Sequence, residues 1–357
     1  MKLTFPDYYK KFACIADKCT DTCCAGWDVV IDGESLENYG NLGGEYGNKI
    51  RSLITVDGDG DSIFAARNGR CPFLLDSGLC DMYIRLGHGS LCRTCRVFPR
   101  FTNAFGARAE TGLSLSCPEA ARLIFENENP VTFETEETDG AIIPSDFDAE
   151  LYFTLLTARK TAINILQNRK FSANGRICAF LRYCEAVQDC IDEYEYGEIS
   201  SLSADCFLSE KTEFSSSRAK RALKGIFAAF GSTEFISSDY SEKLRAAETV
   251  DMQGFSSPDT EIEQLAVYFV YRYFITAAYD GKLLEKALLA ATCIAVIRRL
   301  WASENALTKE QRTEIAQKFS KETEHSATNM QILRTAIKKS RCFSGQNLIN
   351  IFSEKEK

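Results

Sequence analysis

The chain has 357 residues, with 50 Asp and Glu against 42 Lys and Arg, a net charge of -8 and a pI near 5.2. An acidic chain lacks the general positive field that binds phosphate backbones, so we expect no nucleic-acid partner. The length allows two or three domains with sizeable cores. The N-terminal segment lacks the apolar run of a signal peptide, and the two longest apolar regions are shorter than a membrane span, so we expect a cytoplasmic protein with no membrane partner.

Cysteine is abundant, with 15 residues against two histidines. A disulfide framework is typical of small secreted chains, and this chain is neither small nor recognisably secreted, so metal binding by sulfur is the better interpretation. Nine cysteines fall in the first 117 residues, and we call them the N-terminal cysteines. They are Cys14, Cys19, Cys23, Cys24, Cys71, Cys80, Cys92, Cys95 and Cys117.

The predicted elements change character along the chain. Residues 52–80 carry β-branched and aromatic runs punctuated by Asp-Gly and Asn-Gly, which predicts a β-hairpin or meander with turns there. From about Asp146 onward, apolar residues recur at helical spacing, which predicts roughly six to eight helices of ordinary length. Ser257-Pro258 predicts a helix start, and Thr308 with Gln311 predicts a capping box.

The predicted fold class is therefore α+β. A small cysteine-rich, metal-binding domain with β-hairpins covers residues 1–128, and a mainly α-helical domain covers residues 146–357. The remaining six cysteines are interpreted as small core residues and not as ligands. They are Cys178, Cys184, Cys190, Cys206, Cys293 and Cys342.

The spacing of the N-terminal cysteines favours metal binding. Cys92 and Cys95 form a C-x2-C pair that reaches one ion or cluster from a turn. Cys19 and Cys23 share a face if their segment is helical, whereas Cys24 then points about 100 degrees away. The set thus fits two centres, or one cluster beside a structural zinc. His88 in a glycine-flanked loop is interpreted as a solvated turn residue.

Three stretches resemble the flagellin lysine-N-methylases, within the broader family of cysteine-cluster proteins thought to chelate zinc or iron. They read "FACIADKCTDTCCAGWDVVID", "RCPFLLDSGLCDMYIRLGHGSLCRTCRVFPR" and "ETGLSLSCPEAARLI". The paired cysteines before Gly-Trp, Cys-Pro-Phe-Leu and the Cys-Arg-x-Phe-Pro-Arg ending are the most specific features. The resemblance covers about the first 125 residues and extends more loosely into the helical half.

This resemblance implies transfer of a methyl group from S-adenosylmethionine to lysines of flagellin, with an iron-sulfur cluster, [4Fe-4S] in type, held by the N-terminal cysteines. All nine are ligand candidates, which exceeds the need of one cluster, and zinc is the alternative metal. Arg93, Arg96 and Arg100 lie beside the C-x2-C pair. They either hold the carboxylate of S-adenosylmethionine or offset the charge of the thiolates. No catalytic residue is identified.

Two features depart from other methyl-transferring proteins. The chain has no strand followed by G-x-G-x-x-G, so a Rossmann-type domain is not predicted. It also lacks the C-x3-C-x2-C triad of radical enzymes, which disfavours a radical mechanism. Two other classes of function stay open: an iron-sulfur electron-transfer or cluster-carrier protein, and a zinc-stabilised binding module without catalysis.

Overall fold

A computed structural model describes residues 1–140, 142–209, 214–252 and 255–353. It shows an α+β protein, as predicted, with the strands in the first 137 residues and helices throughout the C-terminal half. The predicted end of the helical domain, residue 357, lies outside the described residues. No helix in those ranges has the length and apolar character of a bilayer-spanning segment.

The strands of the described residues form two sheets. They are β1 (Lys2–Pro6), β2 (Val29–Val30), β3 (Ile54–Val56), β4 (Ser62–Phe64), β5 (Arg100–Phe105), β6 (Arg108–Leu113) and β7 (Phe133–Glu137). The larger sheet has the order β5-β6-β1-β7, and the smaller has the order β2-β4-β3. β1 is parallel to β6 and antiparallel to β7. The antiparallel β3–β4 pair confirms the predicted hairpin, and the Asn68-Gly69 turn has both residues at positive φ.

Five helices lie in the first 128 residues, within the part of the chain that the structure describes. They are α1 (Gly33–Asn41), α2 (Gly44–Ser52), α3 (Asp81–Leu86), α4 (Arg93–Val97) and α5 (Pro118–Glu126). Asp32 caps α1 by accepting the Ser35 N–H at 3.1 Å. Cys80, Cys92 and Cys117 are the residues that immediately precede α3, α4 and α5, so three of the N-terminal cysteines stand at helix starts.

Ten further α-helices occur in the described residues beyond 146, so the predicted six to eight is too low. They are α6 (Ala149–Leu166), α7 (Ala173–Asp192), α8 (Ala204–Leu208), α9 (Ser216–Phe230), α10 (Tyr240–Thr249), α11 (Asp259–Tyr273), α12 (Leu283–Ser303), α13 (Lys309–Thr323), α14 (Ala327–Lys339) and α15 (Gly345–Phe352). Short helices such as α8 carry too little periodicity to be counted from sequence. The start of α11 after Pro258 and the Thr308–Gln311 capping box are confirmed.

The buried apolar residues form two clusters. The smaller one contains residues between Val29 and Cys92 and is the core of the cysteine region. The larger one runs from Tyr8 to Phe352 and joins the larger sheet, α5 and the C-terminal helices. The first 128 residues contribute to both clusters, and the domain division at residues 128 and 146 stays a prediction about independent folding.

Buried ion pairs connect the larger sheet and the helices. Glu110 of β6 accepts two hydrogen bonds from the Arg159 guanidinium of α6, both at 2.5 Å. Glu263 of α11 likewise accepts from Arg176 of α7 at 2.5 Å. Each of these four side chains is buried, so each charge depends on its partner for compensation.

The C-terminal cysteines are packing residues with one exception. Cys178, Cys184 and Cys293 are buried, and Cys190 and Cys342 pack partly buried against the larger core. Cys206 in α8 is exposed, so the prediction that it is a core residue is wrong. The α7 cysteines repeat every six residues, so successive side chains are 600 degrees apart around the helix and point in different directions. That spacing is the reason they are predicted to be packing residues.

Candidate metal and substrate site

Five of the N-terminal cysteines lie in the smaller core or pack against it, and we call them the five-thiol group. They are Cys24, Cys71, Cys80, Cys92 and Cys95. The pKa of the Cys71 thiol is raised to about 12, first by burial and further by the neighbouring thiols of Cys24, Cys80 and Cys92. A backbone hydrogen bond of 2.8 Å from Cys71 N–H to the Cys24 carbonyl joins two segments that are 47 residues apart in sequence. The fold thus gathers thiols from three separate segments.

The C-x2-C pair of this group is set by the start of α4. The Arg93 N–H donates to the Asp32 carboxylate at 2.7 Å, so the same aspartate that caps α1 also fixes the first turn of α4. A hydrogen bond from the Cys95 thiol lowers the pKa of Cys92, whereas the pKa of Cys95 itself is raised by that bond and by burial. One member of the pair is therefore poised to be the thiolate, which is the form that binds a metal.

The remaining four N-terminal cysteines form a second cluster, which we call the four-thiol group. They are Cys14, Cys19, Cys23 and Cys117. The pKa of Cys117 is raised to about 11 by burial, and the thiols of Cys19 and Cys14 raise it further. The pKa of Cys23 is also raised, by its hydrogen bond to Cys24, by burial and by the thiols of Cys24, Cys14 and Cys117. Cys117 packs into the larger core, so this group lies against the helical half.

The adjacent pair Cys23 and Cys24 stands where the two thiol groups meet. Cys23 raises the pKa of Cys95, and Cys24 raises that of Cys71 and Cys80. The Cys23 thiol donates a hydrogen bond to Cys24, which lowers the pKa of Cys24. Cys24 also raises the pKa of Cys95, so both neighbours lie near the five-thiol group, and Cys23 lies near Cys14 and Cys117 as well.

The nine thiols lie in two groups. Thiolate is a preferred ligand of iron-sulfur clusters and of zinc, so the donor atoms suit either kind of centre. Convergence on one point is incomplete: within the described ranges, no group of three or more His, Cys, Asp or Glu side chains is arranged to hold a metal ion. Metal binding through these residues stays a prediction. It requires the thiols of a group to rotate toward a common centre.

The three arginines beside the C-x2-C pair have three different surroundings. Arg93 is exposed. Arg96 donates to the Gly89 carbonyl at 3.3 Å. It also lowers the pKa of Tyr39, which Cys92 and Cys95 raise, so all three lie near that tyrosine. Arg100 lies over the rings of Tyr9 and Phe12, at 5.8 and 5.1 Å. The structure therefore does not bring the three guanidinium groups to one point, and Arg96 is the one associated with the five-thiol group.

Helix α13 contacts the loop that carries Cys19, Cys23 and Cys24, which we call the cysteine loop. Lys321 donates to the Asp21 carboxylate and, at 3.3 Å, to the Thr22 carbonyl, and its ammonium lies 5.1 Å from the Trp27 ring centroid. Gln317 donates to Asp21 at 2.8 Å and to the Ser116 carbonyl at 2.7 Å. These contacts fix the loop that carries Cys19, Cys23 and Cys24.

An aromatic contact continues the same interface. The His325 imidazole, just beyond α13, lies 3.8 Å from the Trp27 ring and 5.6 Å from the Phe98 ring, measured between centroids. The pKa of His325 is lowered to about 4, first by burial and then by the positive charges of Arg272 and Lys321. This histidine is therefore a neutral packing residue near pH 7. His88, in contrast, is exposed in a short 3-10 turn, as predicted.

Sequence reasoning missed the whole contribution of α13. The polar residues Ser320 to Glu324 are all buried, although a run of Ser, Lys, Glu and Thr is usually a solvated helix face. Glu324 accepts hydrogen bonds from the hydroxyls of Ser320 and Tyr273, both at 2.6 Å, which satisfies its buried charge. The run contains no apolar residue, so the sequence gives no sign of its burial.

A cavity of about 390 Å³ lies where the cysteine loop meets the helices. Thr20 and Asp21 of the loop line one side, and residues of α10, α12 and α13 line the others. Its volume is within the ordinary range for small-ligand sites. Thr20 and Asp21 lie between Cys19 and Cys23, so the cavity borders the loop that carries two thiols of the four-thiol group.

The fold and the site define a cysteine-cluster protein in which a thiol-rich region docks on a helical domain through α13. Residues 205–351 match the family model of the FliB lysine N-methylase C-terminal domain. The chain is 24% identical over 221 residues to proteins named lysine-N-methylase from Salmonella typhimurium and Salmonella choleraesuis, which covers 57% of this chain and 52% of each relative. It is 27% identical over 137 residues to the flagellar biosynthetic protein FliU of Salmonella muenchen, covering 35% of this chain and 78% of that protein.

These matches confirm the resemblance of this chain to the FliB-type lysine N-methylases. The chain spans about half the length of the two lysine-N-methylases it matches. No solved structure matches this chain.

Proposed function

We propose that this protein is an S-adenosylmethionine-dependent N-methyltransferase acting on lysine side chains of flagellin, with an iron-sulfur cluster held by its N-terminal cysteines. The names of the relatives support lysine as the group that is modified and the flagellum as the setting. The proposed compartment is the cytoplasm, where thiols stay reduced.

One observation carries the proposal. Lys321 and Gln317 lie inside the region that matches the FliB C-terminal domain, and both contact Asp21 in the cysteine loop. The family's helical domain and the thiol-rich region therefore share one interface, with a cavity in it. Such a place suits a reaction that needs both parts of the chain, because it is concave and lined by a few polar groups.

Methyl transfer to the lysine nitrogen requires an unprotonated amine. A free lysine ammonium has a pKa near 10.4, so the enzyme must remove its proton before the nitrogen lone pair can attack. The new N–C bond then forms as the C–S bond breaks, and the electron pair of that bond stays on sulfur. The products are methyl-lysine and S-adenosylhomocysteine, and the proton removed from the ammonium goes to a base. No electron is gained or lost in this transfer.

The five-thiol group is the proposed holder of the cluster, since four ligands suffice and Cys24, Cys71, Cys92 and Cys95 come from three segments that the cluster would join. The four-thiol group, with Cys117 fixed at the start of α5, is the proposed second centre. When bound, the cluster would supply a rigid link between the loop, the hairpin region and α4.

The test combines spectra with activity. Protein purified without oxygen should show the broad visible absorbance of an iron-sulfur cluster and, after reduction, a paramagnetic resonance signal. Incubation with flagellin and S-adenosylmethionine labelled in its methyl group should place the label on lysine, and flagellin whose lysines are acetylated should stay unlabelled.

Two results would count against the proposal in different ways. Colourless protein with stoichiometric zinc would replace the cluster with a zinc centre. If cluster-loaded protein labels neither flagellin sample, the proposed methyltransferase activity is rejected, and an electron-transfer or carrier role is favoured.

A further inference from the structure

The cavity at the domain interface has walls of two kinds. Its apolar part is formed by Ile236, Leu300, Ala306 and Ile315 together with Tyr240. The rest is charged or polar and comes from the cysteine loop, from α10 and the residues just before it, from Glu304 at the end of α12, and from α13. A ligand that fills it therefore needs an apolar portion as well as a polar end.

The charges of the lining favour a cation. Five carboxylates face three ammonium groups there: Asp21, Asp239, Glu304, Glu314 and Glu322 against Lys243, Lys318 and Lys321. The three lysines are already engaged with acidic partners. Lys243 lies 3.3 Å from Asp239 and 3.5 Å from Glu304, Lys318 lies 2.6 Å from Glu314, and Lys321 is paired with Asp21. The oxygens of Glu322 accept from two backbone N–H groups, and the other four carboxylates still exceed the three ammonium groups, so the cavity lining is negative.

The wall beside Ile236 is held in place by a buried carboxylate. The two oxygens of Glu322 accept the N–H groups of Ile236 and Ser237 at 2.7 and 2.8 Å. Glu322 is 6% exposed, so these bonds are shielded from water. The segment 236–237 is thus attached to α13, which fixes this wall of the cavity.

We infer that this cavity binds the side chain of a lysine presented by a protein substrate. The four-carbon stem matches the wall of Ile236, Leu300 and Ile315, and the ammonium matches the excess of carboxylates. The inference rests on the proposed function for its choice of lysine among cations. It places the target amine beside the loop that contains Cys19 and Cys23.

The experiment measures binding without S-adenosylmethionine, so that it does not depend on catalysis. The probe is a twelve-residue peptide, acetylated and amidated at its ends, with one central lysine among serine and alanine. Its twin carries norleucine, which keeps the stem and removes the charge. Calorimetric titration into the full chain should show the lysine peptide binding about tenfold more tightly than its twin, since one desolvated charge contact contributes on that order.

Two cavity variants should move the affinity in opposite directions. Glu304→Gln makes the cavity less negative and should weaken lysine-peptide binding by about three- to tenfold. Lys243→Gln makes it more negative and should strengthen binding by a similar factor. A purely structural role would weaken both. Glu37→Gln, on an exposed position of α1 that does not line the cavity, should leave the affinity unchanged.

Equal binding of the two peptides, absence of binding at millimolar concentration, or a shift of both cavity variants in the same direction would overturn the inference. The proposed function is judged separately. Peptide binding with no methyl transfer would keep the cavity assignment and reject the activity, whereas methyl transfer with an unaltered KM in both variants would do the reverse.

Discussion

The indole of Trp27 and the imidazole of His325 lie with their centroids 3.8 Å apart, although 298 positions separate them in sequence. Trp27 belongs to the Cys-Cys-x-Gly-Trp motif, and His325 follows α13 of the helical half. Because an aromatic contact of this kind contributes roughly 0.5 to 1.5 kcal/mol beyond its area, this half-buried pair helps to hold the thiol-rich region on the helices.

The pH dependence of stability should report on His325. Its pKa is about 4 in the folded chain and near 6.5 when unfolded, so protonation favours the unfolded state. The stability from this site is complete above pH 6.5 and should fall by roughly 2 to 3 kcal/mol as the pH drops to 4. Urea unfolding of the wild type and of His325→Phe between pH 7 and 4.5 should show a flatter profile for the variant. An identical slope would contradict the assignment, and the exposed His88→Gln serves as the control.

Gly26 should be sensitive to any side chain. It has φ +103°, and a Cβ atom there would lie 2.8 Å from Cγ2 of Ile236 across the interface. Gly26→Ala should lower the free energy of unfolding by roughly 2 to 4 kcal/mol. Gly69→Ala is the matched control, since Gly69 has φ +72° but nothing within 4 Å, and it should cost about 1 to 2 kcal/mol. Equal losses in thermal unfolding would show that the close approach to Ile236 does not matter.

Removing one partner of the Glu110–Arg159 ion pair should lower the free energy of unfolding more than removing both charges. Arg159→Met leaves a buried carboxylate without its partner and should destabilise by roughly 3 to 5 kcal/mol. The double variant Glu110→Gln with Arg159→Met removes both charges and should lose less. Denaturant unfolding followed by circular dichroism measures both, and a double variant as unstable as the single one would argue against charge burial as the cause.

The thiol groups should load independently if each forms a centre. Cys71→Ser should lower the iron or zinc bound by the five-thiol group and leave the rest, whereas Cys117→Ser should affect the four-thiol group alone. Metal analysis with visible spectra of anaerobic protein measures both. The exposed Cys206→Ser should change nothing. Complete loss of metal in both single variants would instead indicate one shared centre.

Replacing Arg96 should distinguish the two roles proposed for the three arginines, which are to bind the carboxylate of S-adenosylmethionine or to offset the charge of the thiolates. If it clamps the carboxylate of S-adenosylmethionine, Arg96→Lys should weaken cofactor binding by roughly ten- to a hundredfold, because lysine keeps the charge but lacks the planar two-point geometry. Calorimetry on protein with intact cluster absorbance decides this. Arg93→Lys is the control on an exposed neighbour. Unchanged affinity in both would leave charge compensation as their role.

Local signals in the sequence predicted local structure well. The Asn68-Gly69 turn, the β3–β4 hairpin and the Thr308 capping box each depend on a few adjacent residues. The site depends instead on contacts between distant segments, such as Lys321 with Asp21, and a charged residue on a helix gives no sign of being buried. The sequence identifies the N-terminal cysteines as a set. Their division into two thiol groups, with Cys23 in one and Cys24 in the other, depends on the conformation of the irregular loop that α13 holds in place.

The strand order has a consequence for local unfolding. β1 lies beside β6, and β5 pairs with β6, so the segment between β1 and β5 that carries eight of the nine N-terminal cysteines leaves the larger sheet and returns to it. Such a closed excursion can open as a cooperative unit of its own while the sheet and helices stay folded. Its chain ends remain close together in the opened state, which limits the entropy gained on opening. A metal bound by these thiols, if they bind one as proposed, would then exchange without the protein passing through its fully unfolded state.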